Sequence, residues 1–256
     1  MDKIRKVLVS QPKPESDKSP YFDLAEKHSL KIDFQKFIRI EGVSSKEYRE
    51  SKVRILDHSG VIFTSRIAID NFFRICEESR INVPDTMKYF CATESIALYL
   101  QKYIVYRKRK IFFGDKSIDE LIEIIKAKHS NGKLLLTLSD TPVEELSGKL
   151  DSNDIKYSNL VLFHTLSCDL IKDIEDIYDY DLIVFFTPAG TTSLFENFPE
   201  FKQAEIKVAT FGPSTQKAAI EAGLRIDIKA PTKEAPSMTM AIDQYVADYA
   251  KNTRKK

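Results

Sequence analysis

The chain has 256 residues, 39 of them Lys or Arg against 38 Asp or Glu, for a formal net charge of +1. That balance excludes a global field for nucleic acid or an anionic membrane, and 43% hydrophobic with 30% charged residues is ordinary for a globular protein. No stretch is apolar for the roughly 18 residues a membrane-spanning helix needs, so the sequence reads as a cytoplasmic protein without a membrane partner.

In chain order, Lys6 to Ser10 reads as a first strand, QPKPESDKSP as a loop and Tyr21 to His28 as a short helix. An extended run from Ile32 to Ile40 follows within LKIDFQKFIRIEG, long for one strand. Next comes GVIFTSRIAIDNFFR at Gly60 to Arg74, where an apolar run stops at Thr64 and Ser65 starts a helix. KYFCATESIALYLQKY, Lys88 to Tyr103, repeats the form of strand, polar turn and helix. Ile118 to His129 has a helical apolar stripe closed by Asn131-Gly132, and Leu134 to Leu138 is a buried strand. Thr141-Pro142-Val143-Glu144 then supplies the cap of a helix reaching Leu150.

A second extended run covers Lys156 to Asp169, KYSNLVLFHTLSCD. The strand-turn-helix cassette then recurs as LIVFFTPAGTTSLFE, Leu182 to Glu196, and KVATFGPSTQKAAIEAGLRIDI, Lys207 to Ile228. In the latter, Gly212-Pro213-Ser214-Thr215 opens a helix that Gly223 ends. A last strand is expected over Arg225 to Lys229 and a terminal helix over Pro236 to Ala250.

A cassette of this kind repeated once points to two similar α/β domains with parallel sheets. The extended segments 34–41 and 158–167 read as paired connectors. The outer domain is then discontinuous, 1–37 plus 167–250, the inner one runs over 41–160, and 251–256 is a disordered tail. A monomer is expected, because the domains must move against each other.

Sets that announce a chemistry are missing: no GxSxG elbow, Walker loop, GxGxxG, HExxH or CxxC occurs. The three cysteines have no paired spacing; Cys76 and Cys91 fall in apolar patterns, as buried thiols do, and Cys168 in a polar turn. His28, His58 and His129 read as solvated loop or helix-end residues, and His164, on the second connector, is the one given a functional role. Asp119, Glu120 and Glu123 read as a solvated helix face, and Arg107 to Lys110 as a solvated turn rather than a nucleic-acid site.

What remains is a set of small hydroxyls and glycines at strand ends: Thr64, Ser65, Thr187, Gly190, Thr191, Gly212, Ser214 and Thr215. They cap helices, and at the carboxyl edges of two parallel sheets facing each other across a hinge they also make a cleft rich in N–H donors that suits a polyanion.

VFFTPAGTTSL and VATFGPSTQKAAIEAGLRIDIKAPTKEAPSMTMAI, with the inner GVIFTSRIA, resemble the strand-end motifs of the uroporphyrinogen-III synthase family. Gly212 and Thr215 fall on the Gly and Thr of the family's C-terminal signature. The resemblance implies two flavodoxin-like α/β domains on a two-strand hinge. It implies a cofactor-free, metal-free reaction in which the linear tetrapyrrole hydroxymethylbilane loses water and closes to uroporphyrinogen III with its last ring inverted. Phe163, His164 and Thr215 then belong to the catalytic region. Gln11, Thr64, Ser65, Arg66, Ser139, Thr187, Pro188, Ala189, Gly190, Thr191, Gly212 and Ser214 bind substrate, and hydroxymethylbilane synthase is a transient partner.

Three positions depart from the family pattern. Phe163 stands where a connector Tyr is common, Thr93-Glu94-Ser95-Ile96 replaces Gly-x-x-Thr, and Ser10-Gln11-Pro12 replaces Thr-Arg-Pro. A non-catalytic tetrapyrrole-binding relative is the alternative that these changes imply.

Overall fold

A computed structural model describes residues 4–114, 117–129, 131–140 and 144–253. The chain divides into two compact units, 1–39 with 166–256, and 40–165. It crosses between them within β3 (Ile38–Gly42) and within β8 (Tyr157–Ser167), which are neighbours in one sheet.

The discontinuous unit holds β1 (Lys6–Val9), α1 (Pro20–His28), β2 (Lys31–Phe34), β9 (Leu182–Phe185), α7 (Pro188–Asn197), β10 (Lys207–Phe211), α8 (Pro213–Glu221), β11 (Ile228–Ala230) and α9 (Met238–Thr253). Its sheet runs β11-β10-β9-β1-β2, all parallel. Counted along the unit this is the flavodoxin order 2-1-3-4-5, with its one reversal between β1 and β9. Each central strand is a short continuous apolar run because both faces are covered. Val7, Val9, Leu182 and Val184 pack with α1 and α9, while Leu8, Ile183 and Phe185 pack with α7 and α8.

The inner unit holds α2 (Ser45–Glu50), β4 (Gly60–Phe63), α3 (Arg66–Glu78), β5 (Lys88–Cys91), α4 (Glu94–Tyr99), β6 (Ile111–Phe113), α5 (Ile118–Lys128), β7 (Leu134–Ser139) and α6 (Glu144–Ser152). Its sheet is β3-β8-β7-β4-β5-β6, and β8 through β6 are parallel. The same doubly wound design appears, with the reversal between β4 and β7. Val61, Phe63, Tyr89 and Cys91 face α3 and α4, whereas Ile62, Phe90, Leu134 and Leu136 face α5 and α6. The strand alternation of side chains thus fills two cores per sheet.

Several details differ from the sequence reading. Ile32 to Ile40 is two strands in two sheets: Gln35 N–H bonds Val9 O at 3.0 Å, and Phe37 turns into the outer core, breaking the run. The last strand is Ile228–Ala230, because Arg225 and Asp227 are drawn into hydrogen bonds with Gln203. The terminal helix continues to Thr253, so residues 251–253 are helical rather than tail. His58 is buried at 6% exposure, with Nδ1 on Arg54 O at 2.8 Å and Nε2 on Ser158 Oγ at 3.0 Å. His28 and His129 are half-buried, on Asp243 and Ser59 respectively. The Thr141-Pro142-Val143 cap lies outside the described residues. Arg107 and Lys110 pair with Asp85 in an exposed turn, and Asp119 pairs with Lys149.

Candidate active site

The helices at the carboxyl edges begin in different ways, and the difference is electrostatic. Ser65 caps α3 by accepting from Ala68 N–H at 3.1 Å, and Thr187 caps α7 by accepting from Gly190 N–H at 3.1 Å. The α8 helix starts at Gly212, which has no side chain to cap it, so the amides of Ser214 and Thr215 lack that partner. None of α3, α7 and α8 carries an acid in its first turn. By contrast α4 opens with Glu94, and α5 with Asp119 and Glu120. A helix N-terminus attracts anions through its free N–H groups and dipole, and an acid in the first turn cancels that attraction. The ends after β4, β9 and β10 are therefore anion-competent, as is the start of α9 after β11, whose first turn also lacks an acid. The departure at Thr93 to Ile96 closes the end after β5: Thr93 accepts from Ile96 N–H and Glu94 occupies the first turn.

In the outer unit, Gln11 is half-buried just past β1, and Ser10 N–H bonds Val184 O at 3.0 Å. A methyl placed on Gly190 would lie 3.4 Å from Thr187 Oγ1 and 3.7 Å from Ser10 Oγ. Ser10, Thr187 and Gly190 therefore meet at the β1/β9 reversal, with Pro188 and Ala189 half-exposed in the first turn beside them. Thr191 and Thr215 do not share that exposure. Each is 1% exposed, so their hydroxyls point into packed structure. Gly212 adopts φ 86° and ψ 153°, a conformation essentially confined to glycine, and its N–H is taken by Ala230 O at 2.7 Å.

In the inner unit, Thr64 and Ser65 after β4 and Ser139 at the end of β7 flank the reversal and are half-buried. Arg66, exposed at the first position of α3, holds its guanidinium 5.4 Å over the Tyr99 ring. The Tyr99 hydroxyl and the Lys102 ammonium bond Asp70 at 3.0 and 2.9 Å, fixing that platform. Phe163 is a core residue at 8% exposure, packed with Leu160 and Leu162, and offers no proton.

The neighbouring His164 is a part-exposed titratable group on β8. The β7–β8 register shifts between Leu138 and Ser139, so Ser139 pairs with Phe163 where the preceding pair is Leu138 with Val161. A bulge of this kind re-aims the following side chains. Asp140 N–H bonds Phe163 O at 3.2 Å, its Oδ1 accepts Thr165 N–H at 3.1 Å, and its Oδ2 lies 3.4 Å from His164 Nδ1. On the other side, Glu47 Oε1 lies 3.2 Å from His164 Nε2. The Ser44 backbone N–H and hydroxyl, with His164, lower the Glu47 carboxyl to about 2. His164 is thus held between two carboxylates. Glu47 and Asp140 were not among the sequence candidates; Glu47 carried a visible signal, the Ser44-x-x-Glu47 capping box, but as a helix start.

Two doubly wound sheets, each with helix N-termini and small hydroxyls at its point of reversal, define a two-unit α/β protein. The chain belongs to the uroporphyrinogen-III synthase family: the family description "Uroporphyrinogen-III synthase HemD" matches residues 21–240. Among solved structures it is similar to a selenomethionine variant of the Thermus thermophilus uroporphyrinogen III synthase, at 14% identity and TM-score 0.60, covering 98% of this chain and 100% of the other. It is also similar to uroporphyrinogen-III synthetase from Helicobacter pylori, at 13% identity and TM-score 0.58, with 98% and 100% covered. These likenesses establish the fold. No curated protein matches the sequence. Among the described residues no helix is long and apolar enough to cross a membrane.

Proposed function

We propose that this chain is a uroporphyrinogen-III synthase, converting hydroxymethylbilane to uroporphyrinogen III with inversion of ring D and loss of water. The observation that carries the reading is the pattern of first turns. Acids are absent where α3, α7, α8 and α9 begin and present on α4 and α5. The substrate's acetates and propionates are the anions those ends accept, through the N–H groups of Ser214, Thr215 and the first turns of α3 and α7, with Ser65, Arg66, Thr64, Ser139, Gln11 and Thr187 beside them. Holding a flexible bilane by its periphery brings its two ends together, so much of the acceleration is positional. The chemistry is loss of the terminal hydroxyl to give an azafulvene, attack on the substituted position of ring D, fragmentation of the spiro intermediate and recombination. No cofactor enters these steps. His164 stands at the carboxyl edge where the hydroxyl leaves, Thr215 serves through the placing of its amide, and Phe163 packs behind His164. A cytoplasmic monomer that receives its unstable substrate by transient contact with hydroxymethylbilane synthase completes the proposal.

The test is isomer analysis of the porphyrins formed from hydroxymethylbilane, which closes unaided to the type I isomer. A dominant type III product is expected; type I alone from folded protein would overturn the proposal. Burial of Phe163, at a position where the family often has Tyr, favours a second reading as a non-catalytic tetrapyrrole-binding relative. That reading predicts saturable binding of the bilane with type I product only.

A further inference from the structure

The geometry points to a carboxylate–imidazole–carboxylate device in which Asp140 and Glu47 are positioning residues for His164, and His164 is the proton donor to the departing hydroxyl. The inference rests on the proposed reaction and assigns its acid. Loss of hydroxide from a hydroxymethylpyrrole is driven by the pyrrole nitrogen and assisted by a proton on the oxygen as the C–O bond breaks. Among the described residues, His164 is the histidine with a carboxylate facing each ring nitrogen, at 3.2 and 3.4 Å. Ionised carboxylates only accept, so both face the ring as acceptors and the ring is the donor between them.

The two carboxylates are anchored differently, and that separates their roles. Asp140 is pinned to β8 through Thr165 N–H at Oδ1, and its Oδ2 faces Nδ1 at 3.4 Å. This is the orienting position of catalytic triads, where a buried or anchored acid sets the imidazole's direction. Glu47 is pinned through Oε2 to the Ser44 N–H and hydroxyl at 2.7 and 2.8 Å, leaving Oε1 for Nε2. Glu47 and His164 are both part-exposed, so an incoming hydroxyl can take Glu47's place at Nε2. The Nε2 proton passes to the hydroxyl oxygen, the C–O bonding pair leaves with water, and the pyrrole nitrogen lone pair fills the gap. The resulting cation is spread over the pyrrole, and the displaced Glu47 carboxylate, still ionised, lies beside it. When ring D rearomatises at its free α-carbon, the hydrogen there leaves as a proton and returns to Nε2, so the cycle balances with water as the only by-product.

The experiment is a double-mutant cycle on kcat for type III formation, with KM followed in parallel. His164→Gln is expected to lower kcat roughly 10²-fold, the usual worth of a positioned acid, with KM little changed. Asp140→Asn and Glu47→Gln keep acceptors for Thr165 and Ser44, and each is expected to lower kcat about tenfold alone and not at all in the His164→Gln background. Near-full kcat in His164→Gln, or losses for Asp140→Asn and Glu47→Gln that persist undiminished without His164, would overturn the assignment. Thermal unfolding of each variant identifies any that fail to fold, and Glu47 and Asp140 lie on separate elements, so either arm decides. A wild-type protein that yields type I alone instead removes the underlying function.

Discussion

Two glycines at helix starts separate fold from site, because the structure gives opposite reasons for each. Gly212 has open space: a methyl built on it meets nothing within 4 Å. Its φ of 86° and ψ of 153° nevertheless exclude a side chain. Alanine there carries about 1–3 kcal/mol of backbone strain, or moves the turn that hands Gly212 N–H to Ala230 O. Gly190 is the reverse. It is the third residue of α7, without a left-handed φ, and the added methyl sits at 3.4–3.7 Å from Thr187, Phe185 and Ser10, ordinary contact distances. Helix propensity favours alanine over glycine by up to about 1 kcal/mol. Gly212→Ala is therefore expected to lower Tm by roughly 3–10 °C, and Gly190→Ala to leave Tm level or raise it by about 3 °C. In the same assays Gly190→Ala narrows the β1/β9 reversal, and KM for hydroxymethylbilane is expected to rise about tenfold, equivalent to about 1.4 kcal/mol. Calorimetry and initial rates of type III formation read both. Equal losses of Tm would refute the backbone argument, and an unchanged KM in a stable Gly190→Ala protein would remove the substrate from that edge.

Other expectations concern the fold and its titration. Ser158→Ala leaves the buried His58 Nε2 without its partner and is expected to cost about 1–2 kcal/mol by urea unfolding, with kcat unaffected; no loss would show that the contact is not made. Asp243 joins α9 to α1 through Lys27 and His28, and those hydrogen bonds hold its carboxyl below the usual range. A depressed folded value contributes stability above the unfolded one, near pH 4, that is lost as pH falls through the folded value. Asp243→Asn should therefore show a shallower fall in stability below about pH 4 than the wild type. Burial pushes the Cys76 and Cys91 thiols up to about 12, so the native protein at pH 8 is expected to label rapidly at Cys168 alone, by mass spectrometry of alkylated peptides.

The strand-end cassettes were legible because two independent signals coincide in them. A continuous apolar run marks a strand covered on both faces, and Thr or Ser followed by a helix start marks its carboxyl end. Ser65 and Thr187 are found as caps on that basis. Side-chain direction was not legible. Thr215 and Thr191 carry the same hydroxyl as Thr187, yet at the third and fourth helical positions their side chains turn inward, and the sequence does not show that difference. LKIDFQKFIRIEG illustrates another limit: alternation identifies an extended chain but not which sheet it joins. His58 read as a loop histidine because its partners, Arg54 O and Ser158 Oγ, are a turn carbonyl and a residue far along the chain. Asp140 and Glu47 converge on His164 through a register shift and a helix cap, neither of which announces chemistry in sequence.

The measurement that tests the account most directly is amide hydrogen exchange by mass spectrometry, under anaerobic conditions, with and without saturating uroporphyrinogen III. Seating of the carboxylates at the carboxyl edges predicts slowed exchange in peptides covering the starts of α3, α7 and α8, centred on Ser65, Gly190 and Ser214, with the starts of α4 and α5 unchanged. Protection confined to the opposite edges of the sheets, around Ser59 and Lys133, or equal protection at α4 and α5, would contradict it.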